Sequence, residues 1–285
     1  MDNTIFSQML SRYPVATIND LNNATHEVMQ QITLAGLYRG GFFDRAAFYG
    51  GTCLRIFYGL QRFSEDMDFS LLQPDENFSL ENYFDAIISE FQALGRDVVI
   101  TSKEKKTQTN VESAFLKDNT VIYDLSFSTE KRIKIKIEID TQPPLGFLTE
   151  QKLLLLPFSL MVRCYTLKDL YAGKMHALLF RNWKNRVKGR DWYDFEWYVR
   201  NDIKLNFYHL RKRTEQINNI TEQDFTFDVF KKMIKESIEK TDINMVKNDV
   251  RPFLKNPSEI EIWCPEYFLQ LVDRVQLDTQ TNTNK

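Results

Sequence analysis

Two glycines, a threonine and two aspartates give the strongest chemical signal in this sequence. Gly50 and Gly51 close a short apolar stretch, Ala46–Tyr49, and Thr52 follows them. Further on, Asp66 and Asp68 stand either side of Met67 at the head of a second apolar run. If residues 66–72 form a strand, side chains alternate and both aspartates point to one face. Two carboxylates on one face repel each other, and a divalent cation is the usual relief. Mg²⁺ in particular takes few protein carboxylates and fills its shell with phosphate oxygens. Glycines let a ligand come close to the backbone, and a helix starting at Thr52 would aim free N–H groups at an anion. A phosphate cradle beside a metal-binding pair points to nucleotide chemistry. A plain helix–strand corner with surface acids would use the same residue types, so the wider string has to separate the two.

That string runs Gly-Gly-Thr-x-Leu-Arg from Gly50 to Arg55, then Arg-Phe-Ser-Glu-Asp-x-Asp-Phe from Arg62 to Phe69. Gly50-Gly51-Thr52 with Asp66-x-Asp68 resembles the first motif of the DNA polymerase beta-like nucleotidyltransferases. The longer string, with Arg55, Arg62, Ser64 and the aspartates in register, resembles the AbiEii/AbiGii toxin family. That family is the nucleotidyltransferase half of abortive-infection (type IV) toxin–antitoxin systems. The resemblance implies an α+β fold: a polymerase beta-like nucleotidyltransferase core with a mixed sheet, followed by a helical C-terminal region. It implies transfer of a nucleotide from a nucleoside triphosphate (NTP) with Mg²⁺ or Mn²⁺. Asp66 and Asp68 would be the metal ligands, and Gly50, Gly51, Thr52 and Arg55 would bind nucleotide. The implied acceptor is RNA, the 3′ end of transfer RNA foremost, and the implied partner is a cognate antitoxin. A protein hydroxyl or a small molecule such as an antibiotic stays open as acceptor. A non-catalytic nucleotide- or antitoxin-binding module stays open as a third reading.

Other positions extend the set. Residues 132–140 alternate strictly, with Ile133, Ile135, Ile137 and Ile139 on one side and Lys134, Lys136, Glu138 and Asp140 on the other. Two-metal phosphoryl transfer uses a further carboxylate near the metals. The polymerase beta-like fold takes it from a strand beside Asp-x-Asp, which makes Glu138 the first choice and Asp140 the second. A solvated face of mixed charge is the plainer account of that strand. Residues 167–180 read as a helix whose stripe of Leu167, Leu170, Tyr171 and Leu178 includes the stem of Lys174. A lysine in an apolar stripe either snorkels to water or meets a buried anion. By resemblance Lys174 matches a family lysine that binds the triphosphate, and Asp191, after Arg190, matches the aspartate of the last motif. Asp191 would close the active site from the helical half and orient Lys174 or the nucleotide, with Asp194 as the fallback. A helix N-cap is the structural alternative for Asp191. Arg181, Lys184, Arg186, Lys188 and Arg190, interleaved with Trp183 and Trp192, could bind acceptor RNA or simply form a solvated face, and Trp192 is equally well placed to be core. Ser64, two residues before Asp66, is expected to face the carboxylate pair, where a phosphate would compete with nucleotide; a small polar residue that caps or bends the chain before the strand is the plainer account.

These residues need elements to position them. The pattern predicts helices over much of 1–40, a strand near 46–49, a helix near 52–60, a strand near 66–72 and a helix over 80–94. Strands follow near 97–102, 110–116, 120–127 and 132–140, then only helical patterning from Leu167. The expected division is a core with N-terminal helices over 1–145, a helical domain over 146–278 and a disordered tail over 279–285. The 285 residues, 43% hydrophobic with 22 Phe, supply ample core. A net charge of −2 argues against coating nucleic acid by bulk charge. Three scattered cysteines and three scattered histidines argue against a disulfide framework or zinc site and fit a reducing cytoplasm. The most apolar stretch, Leu153–Val162, is too short to span a bilayer and contains Pro157, so no membrane partner is expected.

Overall fold

A computed structural model describes residues 4–102, 120–128, 133–181 and 187–278. The expected strand at 110–116 and the tail at 279–285 lie outside the described residues. The chain divides into two compact units. One comprises residues 1–53, 64–143 and 149–164, the other residues 54–63, 144–148 and 165–285.

The first unit is α+β. Its helices are α1 (Ile5–Leu10), α2 (Ile18–Arg39), the opening turn of α3 (Gly50–Tyr58) and α4 (Phe84–Ala93). Its strands are β1 (Ala46–Tyr49), β2 (Met67–Leu71), β3 (Val98–Ser102), β4 (Thr120–Phe127), β5 (Lys134–Asp140), β6 (Thr149–Leu154) and β7 (Leu160–Tyr165). They form one mixed seven-stranded sheet in the order β3-β4-β5-β2-β1-β7-β6. β2 pairs antiparallel with β1 and parallel with β5, which places it at the centre of the sheet. β6 and β7 escaped the sequence reading. Thr149–Leu154 reads Thr-Glu-Gln-Lys-Leu-Leu, without strand alternation, and it forms an edge strand where burial imposes little pattern.

Local chemistry accounts for the other boundaries. α2 opens with a capping box, in which Thr17 Oγ1 accepts from Asp20 N at 3.2 Å and Asp20 accepts from Thr17 N at 2.8 Å. Its packed part begins at Ala24, so Ile18 and Leu21 are exposed while Val28, Ile32 and Leu37 are fully buried. Below β2, Phe69 meets Phe42 edge-on at 5.1 Å and stacks on Phe48 at 4.9 Å. These rings anchor one face of β2, so Asp68 is turned to the other. On β5, Ile135, Ile137 and Ile139 are all 0% exposed, and the residues between them are not buried. Burying such a side chain contributes about 1.5–3 kcal/mol, so three in series fix which face of β5 is polar.

The second unit is helical: α5 (Leu167–Phe180), α6 (Gly189–Arg200), α7 (Phe207–Asn218), α8 (Phe227–Lys240), α9 (Ile243–Val250) and α10 (Pro265–Asp273). Asn206, Thr226 and Asp242 cap α7, α8 and α9 by accepting main-chain N–H bonds. α6 is its core helix, with Trp192, Tyr193, Phe195, Trp197 and Tyr198 buried and Tyr198 stacked on Tyr171 of α5 at 4.3 Å.

In the first unit α2 and α4 touch backbone to backbone at Gly36, where an added Cβ would come within 2.5 Å of Ile87 Cα. Gly36→Ala is therefore expected to force the helices apart and to destabilise by about 1–3 kcal/mol, although alanine is the better helix former. Chemical denaturation checks this, and an unchanged or raised midpoint would show that the helices can separate freely.

Candidate active site

The parallel ladder between β2 and β5 sets Asp68 level with Glu138 and Ser70 level with Asp140. Paired residues on neighbouring strands point to the same face, so the Asp68 and Glu138 side chains are neighbours across the sheet. Asp66 immediately precedes β2 and, like Asp68, is half-buried. Of the two choices on β5, Glu138 is the one beside Asp68. Asp140 accepts from the main-chain N–H of Gln142 at 3.1 Å, at the turn that ends the strand. Lys136, one alternation before Glu138, forms an ion pair with it. Burial opposes the charge of Lys136. The hydrogen bond and charge of Glu138, joined by the charges of Asp66 and Asp68, outweigh that and raise its ammonium above the ordinary range.

The glycine turn lies against the same carboxylates. α3 begins at Gly50, two residues before the expected Thr52, because Gly50 adopts φ +78° and turns the chain directly from β1 into the helix. A Cβ on Gly50 would overlap the Asp68 carboxylate, so only glycine leaves that space open. Gly51 is buried within the first turn of α3. Thr52 is fully buried, and its hydroxyl donates to the main-chain carbonyl of Asp66 and lies 3.0 Å from Ser64 Oγ. Ser64 is itself buried, and Gln30 Nε2 donates to the carbonyls of Ser64 and Glu65 at 3.1 and 2.9 Å. Thr52 and Ser64 thus tie the start of α3 to the chain entering β2 and hold Asp66 in place.

The second unit carries a buried chain of ion pairs. Arg62, 2% exposed, donates from Nε and Nη2 to both oxygens of Asp194, each at 2.6 Å. Lys174 Nζ lies 2.7 Å from Asp194 Oδ2 and 2.7 Å from Asp191 Oδ1. Lys174 has met a buried anion rather than snorkelled. Asp191 is the third residue of α6 and makes no capping bond; its side chain is turned to Lys174. Burial would raise the Asp191 carboxyl, but the charges of Lys174, Arg181 and Lys188 outweigh it and hold the group well below the usual carboxylate range. Burial likewise opposes ionisation of Asp194, and Arg62 and Lys174 win there too. Burial, with Arg181 next, pushes the Lys188 ammonium down to about 8. Arg55 Nη1 donates to the carbonyls of Leu60 and Gln61 at 3.2 and 2.8 Å, closing the loop that delivers Arg62.

Of the proposed RNA-binding cluster, Trp183, Lys184 and Arg186 lie outside the described residues. Trp192 is 4% exposed and packs edge-on against Phe268 at 5.0 Å, so it belongs to the core and offers no face to a base. The Arg62–Asp194 pair and Lys136 are what sequence reading missed. Arg62 stood in the family string without a role, and Lys136 was visible only as one polar position on β5.

Among the described residues no three His, Cys, Asp or Glu side chains converge as a ready-made metal cage. The donor set of the first unit nevertheless fits a hard cation. Mg²⁺ needs only one or two carboxylates when phosphate oxygens complete its shell, Gly50 keeps the flank of Asp68 clear, and a lysine ammonium already answers the local negative charge.

The family model described as the nucleotidyl transferase AbiEii toxin of type IV toxin–antitoxin systems matches residues 32–272. Among solved structures, JHP933 from Helicobacter pylori is 18% identical, with 88% of each chain covered and a TM-score of 0.49. A putative nucleotidyltransferase from H. pylori is also 18% identical, covering 87% of this chain and 89% of that one, with a TM-score of 0.47. No curated protein matches.

The ion chain predicts an acid limit to stability. Both aspartates have folded-state pKa values below their unfolded ones, so the stability they confer is complete above about pH 4 and is lost as pH falls below it. Asp194→Asn, which leaves Arg62 buried without its counter-charge, is expected to cost about 3–5 kcal/mol at neutral pH and to flatten that acid slope. Melting curves between pH 3 and 7 check both; Asp191 leaves part of the slope in Asp194→Asn, and a slope as steep as the wild type's there would place its origin outside Asp194.

Proposed function

Since the chain belongs to the AbiEii nucleotidyltransferase toxin family of type IV toxin–antitoxin systems, we propose that it moves a nucleotide from an NTP onto the 3′ end of an RNA, transfer RNA foremost, and so halts translation. The observation that carries this reading is the level pairing of Asp68 with Glu138 beside the open flank of Gly50. Asp66 and Asp68 would hold Mg²⁺ or Mn²⁺, which supplies charge neutralisation of the phosphates when bound. Glu138 accepts the proton of the acceptor hydroxyl. The hydroxyl oxygen bonds to the α-phosphorus, the α–β bridging bond breaks, and pyrophosphate leaves. The backbone at Gly50 and Gly51 cradles phosphate, and Arg55 acts through the loop it closes. Thr52 serves by fixing Asp66. Lys174, steadied by Asp191 and Asp194, offsets triphosphate charge. Membership in the family implies a cognate antitoxin. Among the described residues no helix is long and apolar enough to cross a membrane.

Ser64 is the proposed point of control. A phosphate or nucleotide on its buried hydroxyl would displace Thr52 and release Asp66, in addition to its charge.

The test is incubation with each labelled NTP, Mg²⁺ and total RNA, resolved on a denaturing gel, with protein and small-molecule fractions run beside it. Label in RNA supports the reading; label confined to protein or a small molecule overturns the acceptor, and nucleotide binding without transfer overturns the activity. Asp66→Ala and Asp68→Ala are expected to reduce transfer to background while remaining folded, as is excess chelator with the wild type. Lys174→Ala should lose roughly 10²–10³-fold in turnover, against no loss for Lys232→Ala, whose side chain is 77% exposed. Equal rates for the two lysine variants would leave Lys174 a structural residue only.

A further inference from the structure

Lys136 has no part in the reaction just described, yet it stands among acidic side chains on the sheet. On β5 it precedes Glu138 by one alternation, shares its face and forms an ion pair with it. On its other side β4 sets Asp124 level with it. Carrying the β2–β5 register one residue back from Met67–Ile137 brings Asp66 alongside Lys136. Its ammonium therefore faces Asp66, Asp68 and Glu138 together, and the charges of all three act on it. Its side chain is 36% exposed, so it has room to swing into water.

We propose that Lys136 is a resident counter-cation that keeps the Asp66–Asp68–Glu138 cluster folded without metal and must be displaced from it when a divalent ion binds. This rests on the metal-binding reading of Asp66 and Asp68. Without a cation, three carboxylates on one sheet face repel each other across neighbouring strands. A tethered ammonium relieves that repulsion without carrying the ligand. A second cation arriving alone must both displace the ammonium and tolerate it nearby. One arriving with an NTP brings phosphate oxygens that complete its shell and give the displaced ammonium an anion to face. The device therefore makes the free protein a poor metal binder and couples metal entry to nucleotide.

The experiment is Mn²⁺ titration of the full chain in the absence of nucleotide, read from the electron paramagnetic resonance signal of free Mn²⁺. Lys136→Gln should bind Mn²⁺ about tenfold more tightly than the wild type, the effect of removing one unit charge from beside a divalent ion at a partly solvated site. Lys136→Arg, which keeps the charge, and Lys232→Gln, a distant exposed control, should bind as the wild type does. Unchanged or weaker binding by Lys136→Gln overturns the proposal, as does an equal gain in Lys136→Arg or no Mn²⁺ binding by either protein. If Lys136→Gln melts too low to titrate, recovery of its melting temperature at Mn²⁺ concentrations that leave the wild type unshifted supports the proposal, and no recovery overturns it. RNA labelling by the wild type is scored separately. Labelling with no gain in Lys136→Gln sinks only the lysine's role, whereas a gain without labelling sinks only the transfer reaction.

Discussion

The parallel pairing of β2 with β5 is the constraint from which the chemistry of the sheet unit follows. Side chains on a strand have period two, so a slip of one residue would turn Glu138 into the core and Ile137 out of it. Ile135, Ile137 and Ile139 are fully buried, and Phe69 is locked between Phe42 and Phe48. Several kcal/mol of apolar burial thus oppose any other register. That burial offsets the cost of gathering Asp66, Asp68 and Glu138 on one side. The carboxylates do not choose their arrangement; the greasy face beneath them does.

The two units solve the problem of charge in opposite ways. In the helical unit Asp191 and Asp194 are buried, and a buried carboxylate is tolerable only with a well-placed partner. Arg62 meets Asp194 with a bidentate fork, and Lys174 bridges both acids, so the group is balanced from within. In the sheet unit the acids are half-buried, and the charges of Glu138, Asp66 and Asp68 all act on Lys136. A group balanced from within resists change, while half-buried acids at the sheet surface stay within reach of solvent ions. On the function proposed above, Lys174 would use the first property and a metal ion the second.

Much of this was legible in the sequence because it is written in short-range pattern. Strict alternation over Ile133–Ile139 gave β5 and its polar face, the apolar stripe gave α5 to the residue, and Gly50-Gly51 marked the turn. β6 and β7 were not legible, since an edge strand need not alternate and their pairing is settled by distant residues such as Phe48 opposite Cys164. Nor was the role of Arg62 legible: its partner Asp194 is far along the chain, and nothing local distinguishes a buried arginine from a surface one. For Trp192 the fold decides between the two readings its setting allowed, and spends the ring on the core.

The Gly50–Phe69 string is better understood as scaffold and chemistry interleaved than as a row of ligands. Thr52 and Ser64 hold the backbone of Asp66, Arg55 shapes the loop before Arg62, and Arg62 holds Asp194. Each spends its polar group on another part of the protein, and each is buried or half-buried. A carboxylate must be held to within a fraction of an ångström for its charge to be useful in a transition state. The residues that supply this precision need polar atoms and fixed spacing just as ligands do, so they leave the same imprint on a sequence. Only hydrogen-bond partners tell them apart, and here those partners give Thr52, Ser64, Arg55 and Arg62 structural work, which leaves Asp66 and Asp68 as the residues of the string to which the proposed function gives the chemistry.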